Sequence, residues 1–169
     1  LSGGLHAGRG MDVQDFLMIP VGANSYAQAL DWVCRVRTSA TVLCAEQGIT
    51  TLLADEGGLS PGFETSEEAL ALMVKAFERA GLEPGKDAAI ALDLASSSLV
   101  NAAGDYPFVR AGRTYSAAEM IALQQAWVAD YPIISIEDGL GEDDWGNWPA
   151  MTNALGKIQL VGDDLFATQ

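Results

Sequence analysis

The 169-residue sequence predicts an α/β fold on a parallel sheet, either an open doubly wound sheet or a (β/α) barrel. Three observations predict it. Short apolar runs alternate with stretches of helical periodicity. Two capping-box signatures, Thr65-Ser66-Glu67-Glu68 and Ser116-Ala117-Ala118-Glu119, open helices after extended segments. Successive apolar runs end in acidic residues, which is where α/β folds build their sites.

Taken in order, Val13 to Val21 is an apolar run with Pro20 near its end, and reads as a strand. Ser25 to Glu46 reads as a helix, with Leu30, Val33, Val36, Ala40 and Leu43 on its apolar face and Gly48 as its stop. Thr51 to Ala54 reads as a short buried strand. The helix opened by Thr65 carries Leu70, Met73, Val74 and Phe77 on one side and stops at Gly81. Ala88 to Leu92 is another buried strand. Ala95 to Tyr115, with Gly104, Pro107 and Gly112, reads as a loop or hairpin insertion. The helix opened by Ser116 presents Met120, Leu123, Ala126 and Trp127. Tyr131 to Ile136 is a strand, Glu142-Asp143-Asp144 begins a short helix with acids at the favourable end of its dipole, and Ile158 to Gly162 is the last strand.

Composition narrows the function. Apolar residues at 49% and charged residues at 19% describe a folded chain rather than a disordered one. A net charge of −14 repels phosphate backbones and anionic lipid, which argues against nucleic-acid binding. No apolar run is long enough for a membrane span, and no signal peptide is visible. Cys34 and Cys44 fall in one helix about 15 Å apart in rise, too far for a disulfide, and free thiols point to a reducing compartment. The start at Leu1 and the stop at Gln169 after a strand-like run suggest a piece of a longer protein.

The acids carry the chemistry. Thr51–Ala54 runs into Asp55-Glu56-Gly57-Gly58, Ala88–Leu92 into Asp93, Tyr131–Ile136 into Glu137-Asp138, and Ile158–Gly162 into Asp163-Asp164. One such acid is ordinarily a helix cap or a turn residue. Four in register at one barrel mouth repel one another unless a cation neutralises them. All-oxygen ligands suit Mg2+, Mn2+ or Ca2+, and with a single histidine and no cysteine cluster a zinc site is disfavoured. Asp138, Asp143, Asp144 and Asp164 read as capping or solvated acids, and Trp32, Trp127, Trp145 and Trp148 as packing residues.

At these residues the sequence resembles the enolase family. The runs are Gly3-Gly4-Leu5-His6-Ala7, Val13-Gln14-Asp15-Phe16, Asp55-Glu56-Gly57-Gly58, Ala91-Leu92-Asp93, Ser135-Ile136-Glu137-Asp138-Gly139-Leu140, Glu142-Asp143-Asp144-Trp145 and Gly162-Asp163-Asp164-Leu165, in the family's order and across the whole chain. The resemblance implies a (β/α)8 TIM-type barrel, incomplete here with about five of the eight strands. Residues 1–169 would be part of the C-terminal barrel domain, without the small N-terminal domain and the last strands. It implies a cytoplasmic, Mg2+-dependent phosphopyruvate hydratase that interconverts 2-phosphoglycerate and phosphoenolpyruvate, as a homo-oligomer (dimer or octamer), with a secondary cell-surface presence left open.

The resemblance also distributes roles. Asp93, Glu137 and Asp163 match ligands of a tightly bound Mg2+. Glu56 matches the acid that helps expel the 3-hydroxyl, Gln14 a substrate-contacting position, and His6 a site residue on a mobile loop. Asp15, with Glu56 and His6, completes the catalytic set, but it stands where enolases usually have Glu, about 1.5 Å shorter in reach. Ser2 stands where Asn is common. The family's proton-abstracting Lys, its Arg-Ser phosphate pair and a second substrate Lys would lie beyond Gln169, so this stretch alone is expected to be inactive. Two rivals remain at this level: a racemase or cycloisomerase of the wider superfamily, and an enolase-like binding protein that has lost catalysis.

Overall fold

A computed structural model describes residues 1–169. Its main sheet has four strands in the order β1-β2-β5-β6: β1 (Asp15–Ile19), β2 (Ala89–Asp93), β5 (Ile133–Glu137) and β6 (Gln159–Val161). A separate hairpin of β3 (Tyr106–Phe108) and β4 (Arg113–Tyr115) lies between β2 and α3, as the insertion reading expected. The helices are α1 (Tyr26–Glu46), α2 (Ser66–Arg79), α3 (Ala117–Asp130) and α4 (Trp148–Leu155). No helix is long and apolar enough to cross a membrane.

The helix starts follow local chemistry. Ser25 accepts the amide of Gln28 at the head of α1. Thr65 and Ser116 each form a complete capping box with Glu68 and Glu119. In these pairs the hydroxyl and the carboxylate satisfy amides that the first turn leaves without partners. Gly81 follows α2 with φ at 75°, a left-handed stop that suits glycine.

Packing rotates two of the predicted helix faces. Val36, Ala40 and Cys44 are the buried apolar residues of α1, whereas Leu30 and Val33 are exposed. The 21-residue α1 outruns the 14-residue α2 by about 10 Å, so its first turns have no partner to cover them. In α3 the buried stripe is Met120, Gln124 and Trp127, and a glutamine takes the place expected of an apolar side chain. Trp127 and Trp148 are buried as expected, but Trp145 is exposed. Cys34 and Cys44 are both free thiols, the first exposed and the second buried.

Three expectations need correction. Thr51–Ala54 is not a strand. Leu52 and Leu53 are exposed, and the segment only touches its own return through the Leu53–Leu59 bridge. The edge of β1 that it would join is already taken by the first residues of the chain, through Phe16 N to Leu1 O, Gly3 N to Gln14 O and the Ser2–Asp15 bridge. Glu142-Asp143-Asp144 does not begin a helix. It forms a turn in which Asp144 accepts from the Tyr106 hydroxyl and Asn147 Nδ2, and α4 starts only at Trp148. Finally, β1 runs antiparallel to β2, while β2, β5 and β6 are parallel. Two consecutive helices, α1 and α2, separate β1 from β2. Each helix reverses the chain, so β2 enters the sheet opposite to β1, whereas a single helix between β5 and β6 keeps them parallel.

Candidate metal centre and acid rim

The sheet topology decides which residues share a rim. β2 and β5 are parallel with Asp93 opposite Glu137, and Glu137 lies opposite Val161 of β6, two residues before Asp163. The carboxyl ends of three strands therefore lie side by side. β1 contributes from its opposite end: because it is antiparallel, its first residue, Asp15, is the register partner of Asp93. Cross-strand partners project from the same face of a sheet, so Asp15, Asp93 and Glu137 form one row.

The carboxylates fall into two overlapping groups. Asp93, Glu137 and Asp138 offer oxygens within 4.8 Å of one another, and so do Asp138, Asp163 and Asp164. The three residues expected to be ligands are thus divided, with Asp93 and Glu137 in one group and Asp163 in the other, and Asp138 is the hinge between them. Asp138 is 2% exposed and has φ at 43°. Its carboxylate accepts the amides of Asp163 at 3.0 Å and Asp164 at 2.8 Å. The expected capping role is present, over the 3-10 turn Asp164–Phe166, but this acid is buried rather than solvated. The sequence reading leaves Asp138 out of the ligand set; the Gly that follows it in Glu137-Asp138-Gly139, which marks a tight corner at the end of β5, is the available signal.

Smaller contacts orient the row. Gln14 Nε2 donates to Asp93 Oδ2 at 3.1 Å, and the amide of Ala95 donates to Asp93 Oδ1 at 2.9 Å. Ser2 Oγ donates to Asp15 Oδ1 at 2.6 Å. The two sequence departures from the family pattern, Ser2 and Asp15, are therefore bonded to each other. Gly58 packs so closely on the Ser2 hydroxyl that a Cβ there would collide with it.

Proton affinities report the crowding. Burial pushes the Asp93 carboxyl up to about 7, and the charges of Glu137, Asp138 and Asp15 add to it against the Ala95 amide. Glu137 is raised by burial and then by Asp138 and Asp163. Asp138 is raised by burial despite the amides that it accepts. Asp15 is raised by burial and by Glu56, against the Ser2 hydroxyl. The ion pairs of the chain set no lysine or arginine against these carboxylates, and Asp15 feels positive charge from the amino terminus and His6. Carboxylates forced together without a lysine or arginine between them, all with raised proton affinity, are what a hard cation relieves. An all-oxygen set with ligand atoms within 4.8 Å of one another suits a hard divalent cation such as Mg2+ or Ca2+.

A second cluster comes from loops. His6 sits in a 3-10 turn, Leu5–Ala7, with Nδ1 3.4 Å from Asp55 Oδ1 and 3.9 Å from Glu56 Oε1. The amide of Asp55 donates to His6 O, which ties the two loops together. Asp55 and Glu56 are exposed, so they stand on a loop above the sheet rather than at a strand end. The largest cleft, about 570 Å³, is lined by Ser97, Tyr106, Gly141 and Asp144 among others, and includes none of Asp93, Glu137 or Asp163.

A family model described as "Enolase, C-terminal TIM barrel domain" matches residues 1–169. The open sheet and four helices are consistent with part of such a barrel. The acid row on the strand ends and the match along the entire length lead to one assignment: this chain belongs to the enolase family, as part of its C-terminal barrel domain.

Proposed function

We propose that this chain belongs to a Mg2+-dependent phosphopyruvate hydratase, which removes water from 2-phosphoglycerate to give phosphoenolpyruvate. The observation that carries the reading is the coexistence of the acid row with a separate His6–Glu56 pair in loops close enough to Asp15 to act on its charge. A racemase or cycloisomerase needs the metal row and a base, but has no use for an acid that expels hydroxide.

Asp93 and Glu137 from one carboxylate group and Asp163 from the other would hold Mg2+, with Asp138, which belongs to both groups, bracing the backbone of Asp163 and Asp164. When bound, Mg2+ supplies positive charge where the substrate carboxylate becomes more negative as its α-proton leaves. Dehydration removes a proton from C2 and hydroxide from C3. Hydroxide leaves poorly unless protonated, and in this reading Glu56 donates that proton. His6 Nδ1 faces both Asp55 and Glu56, at 3.4 and 3.9 Å, so the acid stands beside the imidazole on a loop rather than on the sheet. Gln14 fixes Asp93 Oδ2 through its amide. A lysine beyond Gln169 would abstract the α-proton. The enzyme acts in glycolysis and gluconeogenesis, in the cytoplasm, and works as a homo-oligomer.

The test is turnover of 2-phosphoglycerate by the intact protein with Mg2+, read as phosphoenolpyruvate formation, beside Glu56→Gln. Loss of the acid should lower kcat by about 10²- to 10⁴-fold and leave Mg2+ affinity unchanged. A metal-binding protein that exchanges the α-proton of a carboxylate substrate without losing hydroxide would replace this reading with the racemase one.

A further inference from the structure

The acids of the rim do not account for one polar group in the core. Gln124, on α3, is fully buried. Its Nε2 donates to Met120 O at 3.1 Å, one turn back, and to Gly139 O at 2.8 Å, across the gap to the end of β5. Its Oε1 is buried and has no partner. Methionine, of similar volume, would remove the unpartnered Oε1 but leave the buried Gly139 carbonyl without its donor, so what the amide contributes is the hold on that carbonyl.

What the amide does hold is a tight corner. Asp138 takes a left-handed conformation, φ 43°, which aspartate reaches more readily than most side chains and which its neighbours here lock in place. Those neighbours can be named. The amide of Asp138 donates to Val161 O, its carbonyl accepts from Ser96 N, and its carboxylate takes the amides of Asp163 and Asp164. Gly139 follows in a socket where a Cβ would strike Met151 Cε and Gln124 Oε1. Gln124 closes the one remaining side by fixing the Gly139 carbonyl.

We propose that Gln124 is a positioning residue for the acid rim: its amide pins the Gly139 carbonyl and so holds the Asp138 corner that sets the two carboxylate groups against each other. It touches no ligand and acts through the backbone. The inference rests on the metal-binding reading above. Its consequence is that Gln124 tunes metal affinity from behind the sheet, out of reach of substrate.

The experiment titrates MgCl2 into the intact wild-type protein and into Gln124→Met by calorimetry, with thermal melts of both in excess chelator. We expect about 10-fold weaker Mg2+ binding in the variant, the low end for outer partners of a metal site. Its chelated melting temperature should lie within a few degrees of that of the wild type, because the unpartnered Oε1 is lost while the Gly139 carbonyl gives up its donor. Mg2+ affinity within twofold of the wild type overturns the positioning role. Silence from the wild type instead overturns the metal reading, and this inference with it. Gln124→Leu provides a second variant if the first fails to fold. Collapse of both would make the amide a requirement of the core and would also overturn the proposal.

Discussion

Asp93 offers a quantitative test of the idea that the rim is strained by its own charge. Its carboxyl is raised from an ordinary 3.8 to about 7. For an acid whose folded value lies above its unfolded one, no penalty exists below about pH 4, where both states are protonated. Between about pH 4 and 7 the unfolded chain has released its proton and the folded one has not, so stability falls as pH rises, and the loss is complete above 7. Three units correspond to about 4 kcal/mol, and solvent at this half-buried position reduces that to about 2. Asp93→Asn removes the charge but keeps an oxygen for the Ala95 amide, and Gln14 need only turn its own amide over to meet the new NH2 group. In chelator at pH 8 the variant should therefore melt about 4–8 °C above the wild type, and at pH 4 the two should coincide. Saturating Mg2+ should reverse the order, because only the wild type gains binding energy, about 2.7 kcal/mol at 100-fold over Kd. Paired melts from pH 4 to 8, with and without Mg2+, measure all of this. A metal-free wild type that gains stability across that range, or a variant no more stable at pH 8, would refute the reasoning.

Two further outcomes follow from contacts near the rim. Gly139→Ala drives a methyl group into Met151 and Gln124, which should cost about 1–3 kcal/mol and lower the melting temperature by several degrees. Ser2→Ala removes the hydroxyl that donates to Asp15. That bond favours the charged carboxylate, so its loss should cost about 1 kcal/mol at neutral pH and vanish once acid protonates Asp15, as urea unfolding at two pH values would show.

What the sequence revealed depended on the range of the interactions. Capping boxes at Thr65 and Ser116 were legible because every partner lies within three residues. Strand ends at Asp93, Glu137 and Asp163 were legible because a buried run and the acid after it are adjacent in the chain. Thr51–Ala54 was misread because a strand needs a free edge, and the edge of β1 had been filled from the other end of the sequence. Gln124 escaped because period alone favours Leu123, and only tertiary packing brings the Gly139 carbonyl to it.

The direction of β1 has the widest consequence. A search for acids at the carboxyl ends of strands finds Asp93, Glu137 and Asp163, but gives no reason for Gln14 and Asp15, at the amino end of theirs, to join them. Insertion of a second helix between β1 and β2 supplies the reason. Reversing one strand brings its first residue to the rim where its neighbours finish, and the register of Asp15 with Asp93 follows. The segment just before β1 is also the one that carries His6, so the same reversal hangs the His6 turn over the rim, where it meets the Asp55-Glu56 loop. The irregular start of the sheet is thus what brings the acid row on the strands and the His6–Glu56 pair on the loops to the same end of the sheet. A regular run of β-α units would have left His6, Gln14 and Asp15 at the far end of the sheet, about 17 Å away along a five-residue strand.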